Sequence, residues 1–261
     1  MKSLFYQLTA TLCFFTRLPL WRIVTVPKVY YERVVPFWPI AGWITGGAMA
    51  LTCLVTSSLP VNLTAVLCLI VRCLLTGALH EDGFADFCDG FGGGCSRERI
   101  LEIMKDSHIG TYGVIGLIFY FSLQIGTIGY ILPQTHLYTA MCLMVSADTI
   151  CKFLSSFIVY FLPYARTEQT AKNRLVYKKP KIHELAVGGL FTVCPIVVLA
   201  EIGGKNLLVP LACATIGVTL CIVALTFFMK KRIKGYTGDG CGATFVITET
   251  FFYLIITATL P

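Results

Sequence analysis

Charge is what this sequence has least of. Only 13% of its 261 residues are Asp, Glu, Lys or Arg, against 56% hydrophobic residues and a mean hydropathy of +0.76. Soluble domains carry about 25% charged residues, and a water-exposed fold of this length has too much surface to cover with so few. Lipid as the surrounding solvent removes the difficulty. No Ser/Pro-rich linker divides the chain, so one domain over 1–261 is expected. No Cys-x-x-Cys pair occurs among the twelve cysteines, and most sit in apolar runs, as Cys53, Cys68, Cys142, Cys213 and Cys221 do. Such cysteines behave as small hydrophobes, which argues against a disulfide framework and a Cys-based metal site. No small-x-small cleavage site follows the apolar run Leu4 to Phe15. That segment is expected to be retained.

What is present is a series of apolar stretches, each about 17–25 residues and long enough to cross a bilayer. They fall near Phe37–Leu54, Val61–Leu79, Gly110–Leu132, Leu137–Leu162, Leu185–Gly203, Leu207–Met229 and Gly242–Leu260. Leu4–Leu20 is shorter, carries Arg17 and reaches Pro19, and is expected to lie in the interface or to enter only partly. The predicted fold is all-α: a polytopic membrane bundle of about seven transmembrane helices, with a short N-terminal helix and an interfacial one.

The loops test this assignment, because Lys and Arg collect on the cytoplasmic side of a membrane protein. All but Lys2, Arg72, Lys152 and Lys205 of the 21 basic residues fall in loops 17–34, 80–109, 165–184 and 230–241. The alternation fits seven spans without a slip. The net charge of +7 is then a topology signal, and nucleic acid is not expected as a partner. Every chemically interesting loop lies on the face expected to be cytoplasmic.

The densest polar cluster runs from His80-Glu81-Asp82-Gly83 through Asp86 to Asp89-Gly90 and is expected to continue the span that begins at Val61. Asp82, Asp86 and Asp89, at i, i+4 and i+7, share one helix face within about 60°. Like charges at this spacing repel unless a cation sits between them. Acids at a helix C-terminus also oppose the dipole. Mg²⁺ suits such a site, since it takes one or two carboxylates plus substrate phosphates. The glycine run after Gly90 ends the helix, and Ser96 starts a short amphipathic helix that fits an interfacial position. Arg166 and Lys172 read equally as topology charges or phosphate clamps. Ionisable residues inside spans are costly and are usually paired or functional. Asp148 and Lys152, at i, i+4, are expected to pair, and Arg72 to neutralise Glu249 or Asp148. Glu249 is also a candidate to support the metal site from behind.

The segments His80-Glu81-Asp82-Gly83-Phe84-Ala85-Asp86, Asp89-Gly90, Arg97-Glu98-Arg99 and Ile103-Met104-Lys105-Asp106-Ser107 to Gly110-Thr111-Tyr112-Gly113 resemble the cobalamin synthase (adenosylcobinamide-GDP ribazoletransferase) family. So do Phe15-Thr16-Arg17-Leu18-Pro19, Pro39-Ile40-Ala41-Gly42, Tyr164-Ala165-Arg166 and Gly235-Tyr236-Thr237-Gly238-Asp239 with Glu249. The resemblance covers nearly the whole chain. Lys234 stands where the family often has glycine, Cys241 where Leu is usual, and His108 at a commonly basic position. Thr167-Glu168 follows Arg166 where Pro-Asp or Pro-Glu is frequent.

The resemblance implies a Mg²⁺-dependent transferase in the bacterial inner membrane. It joins α-ribazole, or its 5′-phosphate, to adenosylcobinamide-GDP; GMP leaves, and adenosylcobalamin or its 5′-phosphate forms. On this reading Asp82, Asp86 and Asp239 hold Mg²⁺. Asp89 is the general base or a further ligand. Lys105, Arg166 and Lys172 clamp phosphate, and Asp106 ligates or orients Lys105. Glu81, His108 and Glu249 complete the substrate site. The expected partners are the corrinoid nucleotide, α-ribazole and the lipid bilayer, and both a homo-oligomer and a complex with other nucleotide-loop enzymes are compatible with the reading. The rival readings are a CDP-alcohol phosphotransferase acting on lipids, whose Asp-Gly-x-x-Ala-Arg pattern is only partly echoed by Asp82-Gly83-Phe84-Ala85, and a transporter with intramembrane acids.

Overall fold

A computed structural model describes residues 2–166 and 176–260. Lys172, Thr167 and Glu168 lie outside the described residues. The helices run in chain order as α1 (Lys2–Phe15), α2 (Lys28–Tyr31), α3 (Trp38–Val55), α4 (Val61–Thr76), α5 (Leu79–Gly93), α6 (Arg97–Ile103), α7 (Thr111–Gln134), α8 (Leu137–Phe161), α9 (Ile182–Gly203), α10 (Lys205–Ile233) and α11 (Gly238–Thr259). Among the described residues the only strand-like pairing is an isolated parallel bridge between Tyr164 and Tyr236.

Six stretches are long and apolar enough to cross a bilayer: Val35–Val55, Thr111–Gln134, Leu137–Phe161, Ile182–Gly203, Asn206–Ile233 and Gly238–Thr259. Their outward sides are apolar as well. Phe119 on α7, Val197 on α9, and Leu220 and Phe227 on α10 are all exposed. In water such a surface invites aggregation; in lipid it is the ordinary exterior. Little hydrophobic force drives helices together in lipid, so close packing of small residues takes over. The α3 face of Ala41, Gly42, Thr45 and Gly46 is buried in this way along α8. At the centre, α11 touches α5, α7, α8 and α10.

The seventh expected span is where the structure differs. Rather than one helix continuing into the acidic motif, α4 stops and α5 leaves it at 92°. Gly77 and Ala78 are both left-handed, with φ of 66° and 55°, and Ala78 N–H bonds Cys73 O at 2.8 Å. The break lies inside an apolar run, where only Gly77 marks it. At 16 residues, α4 is about 24 Å long, short of the ~30 Å hydrocarbon core. The backbone N–H of Arg17 bonds Leu75 O at 2.7 Å, docking the segment after α1 onto this bend.

The bend also corrects the electrostatic picture. Glu81 and Asp82 sit in the first turn of α5, not at the end of α4. The dipole at a helix N-terminus favours acids by about 0.3–1 kcal/mol each. Their placement is therefore favourable, not costly.

Candidate active site

The acids of α5 share one helix but not one environment. Glu81 is buried, Asp82 exposed, Asp86 half-buried and Asp89 buried. Asp82 meets Asp239, in the first turn of α11, at a cavity of about 210 Å³. Thr237 caps α11 by accepting the Gly240 N–H at 3.0 Å. The α5 backbone approaches α11 closely because residue 83 is glycine. A Cβ there would stand 3.0 Å from Asp239 Cα and 3.1 Å from its carbonyl oxygen.

Asp89 faces elsewhere. One of its oxygens accepts the Gly110 N–H at 2.7 Å and the other the Gly113 N–H at 2.8 Å. It caps the start of α7 and fixes α5 against it. This corrects the expectation of a single three-aspartate metal face, since both Asp89 oxygens are engaged by a helix N-terminus. Among the described residues no three His, Cys, Asp or Glu side chains stand close enough together to hold an ion unaided. Two carboxylates at one mouth nevertheless suit Mg²⁺, which completes its shell with water and substrate phosphates.

The cavity walls are aromatic. Phe15 stacks on Trp38 at 5.1 Å between ring centroids, Trp38 lies 5.5 Å from His80, and His80 meets Phe245 edge-on at 4.9 Å. Phe14 touches Tyr177 at 6.0 Å, and Tyr236 Oη donates to the Tyr177 carbonyl at 3.2 Å. Burial raises the Tyr177 phenol well above its ordinary pKa, which keeps it neutral. The sequence reading missed this wall. Its members come from α1, α3, α5 and the loop before α9, and no spacing links them.

Behind the cavity the intramembrane charges pair. Arg72 Nη1 lies 2.6 Å from both Glu249 oxygens; Arg72 also meets Tyr120 Oη, and Gln124 donates to Glu249 at 2.9 Å. Glu81 Oε1 is 3.7 Å from the same guanidinium. Lys152 meets Asp148, whose other oxygen accepts from Thr45 at 2.6 Å. Lys152 Nζ also stands 4.2 Å from the Phe245 ring centroid. Glu249 thus belongs to an ion pair behind the cavity wall, and Glu81 reaches toward that pair.

At the rim, arginines hold the loops together. Arg97 donates to Ile233 O (3.0 Å) and Ala165 O (2.8 Å), Arg166 to Leu101 O (2.9 Å), and Arg232 to Gly94 O (2.8 Å). Three of the basic loops are joined in this way, and the Lys178 N–H to Glu32 O bond (2.7 Å) adds the fourth. The strut roles of Arg97 and Arg232 were not foreseen. Burial raises the pKa of Tyr164, on the same rim. Lys105 is exposed. Asp106 Oδ1 accepts the His108 N–H at 3.0 Å and lies 2.7 Å from its ring Nδ1, contacts that hold the Asp106 carboxyl below its ordinary pKa. This pair lines a second, open cavity of about 440 Å³ with Asp89 and Arg99, not the one bearing Asp82.

Fold and site together define a polytopic helical membrane protein with a carboxylate-edged, aromatic-walled cavity at the polar end of its bundle. The chain belongs to the Cobalamin-5-phosphate synthase family, which it matches over residues 7–257. It is similar to the adenosylcobinamide-GDP ribazoletransferase of Leptospira interrogans, at 33% identity over 95% of this chain and 93% of the relative. The enzymes of the same name from Shewanella sp. (strain W3-18-1) and Leptothrix cholodnii are each 32% identical, over 93% and 92% of this chain and 90% of each relative. No solved structure matches at a significant level.

Proposed function

We infer that this chain joins α-ribazole, or its 5′-phosphate, to adenosylcobinamide-GDP. A ribose hydroxyl forms a new P–O bond to the phosphorus that carries the cobinamide, the P–O bond to the other phosphate breaks, and GMP leaves. The observation that carries the site assignment is the meeting of Asp82 and Asp239 at one cavity mouth.

Asp82 and Asp239, with Asp86 one turn along α5, are the residues that would hold a divalent ion. Mg²⁺, when bound, supplies charge neutralisation for the diphosphate. A mouth carboxylate receives the proton of the attacking hydroxyl, a role for which Asp89 is poorly placed because its oxygens are engaged by Gly110 and Gly113. Lys105, Arg166 and Lys172 take the phosphate oxygens, and Asp106 positions the turn behind Lys105. Catalysis of this kind rests on positioning and charge stabilisation. Membership of the family and the basic loops gathered at the site's end of the bundle support a bacterial inner membrane location with the site facing the cytoplasm.

The transporter reading is not favoured, because the intramembrane acids Glu249 and Asp148 are each paired with a cation. The lipid phosphotransferase reading loses to the family match. The test is turnover by the full chain in nanodiscs. Wild type releases GMP and forms the cobalamin product only with a divalent cation. Asp82→Asn and Asp239→Asn each lower turnover by at least about 10²-fold, the scale of a lost charge-stabilising group. Near-normal turnover by both variants sinks the site assignment, and no product from wild type sinks the function.

A further inference from the structure

The cavity shared by Asp82 and Asp239 has two characters. The carboxylates belong to its half-open edge, while its walls are the rings of Phe14, Phe15, Trp38 and Tyr177, with His80 beside them. Its 210 Å³ falls below the roughly 300–1,000 Å³ of sites that enclose a whole drug-sized ligand. It holds one ring system and does not enclose a corrin macrocycle or a complete nucleotide.

Its unmet polarity is sparse. Trp38 and His80 are 2% and 1% exposed, and Trp38 Nε1 and His80 Nε2 are buried atoms with no hydrogen-bond partner among the described residues. The walls therefore offer ring surface for stacking and little that is polar.

We propose that this cavity is the subsite for the heteroaromatic base of the attacking nucleoside, and that the guanine of the leaving nucleotide binds elsewhere. The inference rests on the function proposed above. A benzimidazole-type base is flat and apolar along its fused edge. Once attached to ribose it keeps one ring nitrogen, a single acceptor. Guanine carries N–H groups at two positions and acceptors at O6 and N7. These walls would bury several of those groups without partners, and each orphaned group is penalised. With Asp82 and Asp239 engaged by the ion at the edge, walls poor in polar groups discriminate in this way against the more polar ring. A base seated against Trp38 also leaves its ribose toward the edge bearing Asp82 and Asp239, where a hydroxyl has to be activated.

The test uses the full chain in nanodiscs. Trp21→Phe with Trp43→Phe leaves Trp38 as the sole tryptophan. α-Ribazole then quenches its emission saturably, and guanosine neither quenches nor competes. Tyr177→Ala weakens α-ribazole binding at least tenfold. In the otherwise native chain it raises the KM for α-ribazole by a similar factor, with the KM for adenosylcobinamide-GDP held within twofold. The KM comparison decides the matter if the double Trp variant does not fold. Quenching by guanosine, or a Tyr177→Ala effect on the corrinoid substrate instead, overturns the proposal. Turnover separates the two claims. Wild type that makes product while α-ribazole leaves Trp38 unaffected defeats the subsite alone. Binding at Trp38 with no product from the two substrates defeats the function while the subsite stands.

Discussion

Gly83 and Asp239 lie in backbone contact across the junction of α5 and α11, with room for no side chain between them: a Cβ on Gly83 would stand 3.0 Å from Asp239 Cα. Both Asp82 and Asp239 owe their common position to that contact. Backbone cannot yield as a flexible side-chain tip can, so Gly83→Ala pushes the two first turns apart by a few tenths of an ångström. A misplacement of about 1 Å costs on the order of 10²-fold in rate, and the smaller shift is expected to lower kcat about tenfold. Turnover measured beside the thermal unfolding midpoint checks this. Unchanged kcat in a folded variant means that the spacing of the two carboxylates is not critical.

The Arg72–Glu249 pair is fully buried, with Glu81 and Tyr120 beside it. Removing one partner of a buried pair typically costs about 3–5 kcal/mol, because the other charge is left uncompensated, whereas replacing both with apolar residues is often close to neutral. Glu249→Leu is expected to destabilise the protein by that amount, and Arg72→Met with Glu249→Leu by less. Thermal unfolding of the two variants in detergent decides the order. A double variant no more stable than the single one contradicts the pairing argument.

Much of this architecture was legible from the chain. The spans follow from run length, and the Asp148–Lys152 pair from its i, i+4 spacing. The helix-face argument also places Asp82, Asp86 and Asp89 on one stripe. What periodicity does not carry is which neighbour each turn of the stripe meets: the first turn of α5 meets α11, while two turns later Asp89 meets Gly110 and Gly113 at the start of α7. The break at Gly77–Ala78 is hidden for a similar reason. Ala78 is a helix former by propensity, and its left-handed conformation, with its N–H bonded to Cys73 O, is not written in its residue type. The aromatic cavity was invisible because Phe14, Trp38 and Tyr177 converge from distant segments.

Lys234 presents the converse case, a local strain that the chain could shed. It caps the end of α10 with φ of 57° and ψ of 26°, in the left-handed region. That conformation costs a residue with a Cβ about 1–2 kcal/mol, and glycine adopts it freely. The Lys234 side chain is exposed, so little packing is lost on its removal. Part of the gain is returned through the greater freedom of glycine in the unfolded chain. Lys234→Gly is expected to stabilise the protein by about 0.5–1 kcal/mol, seen as a rise of a degree or more in the unfolding midpoint. Two residues on, Tyr236 pairs with Pro163 and Ala165 through Tyr236 N–H to Pro163 O (2.9 Å) and Ala165 N–H to Tyr236 O (2.8 Å). Because that pairing holds the turn in place whichever residue occupies position 234, turnover should be unchanged within about twofold. A fall in the midpoint would show instead that the lysine side chain contributes more at this turn than its backbone strain takes away.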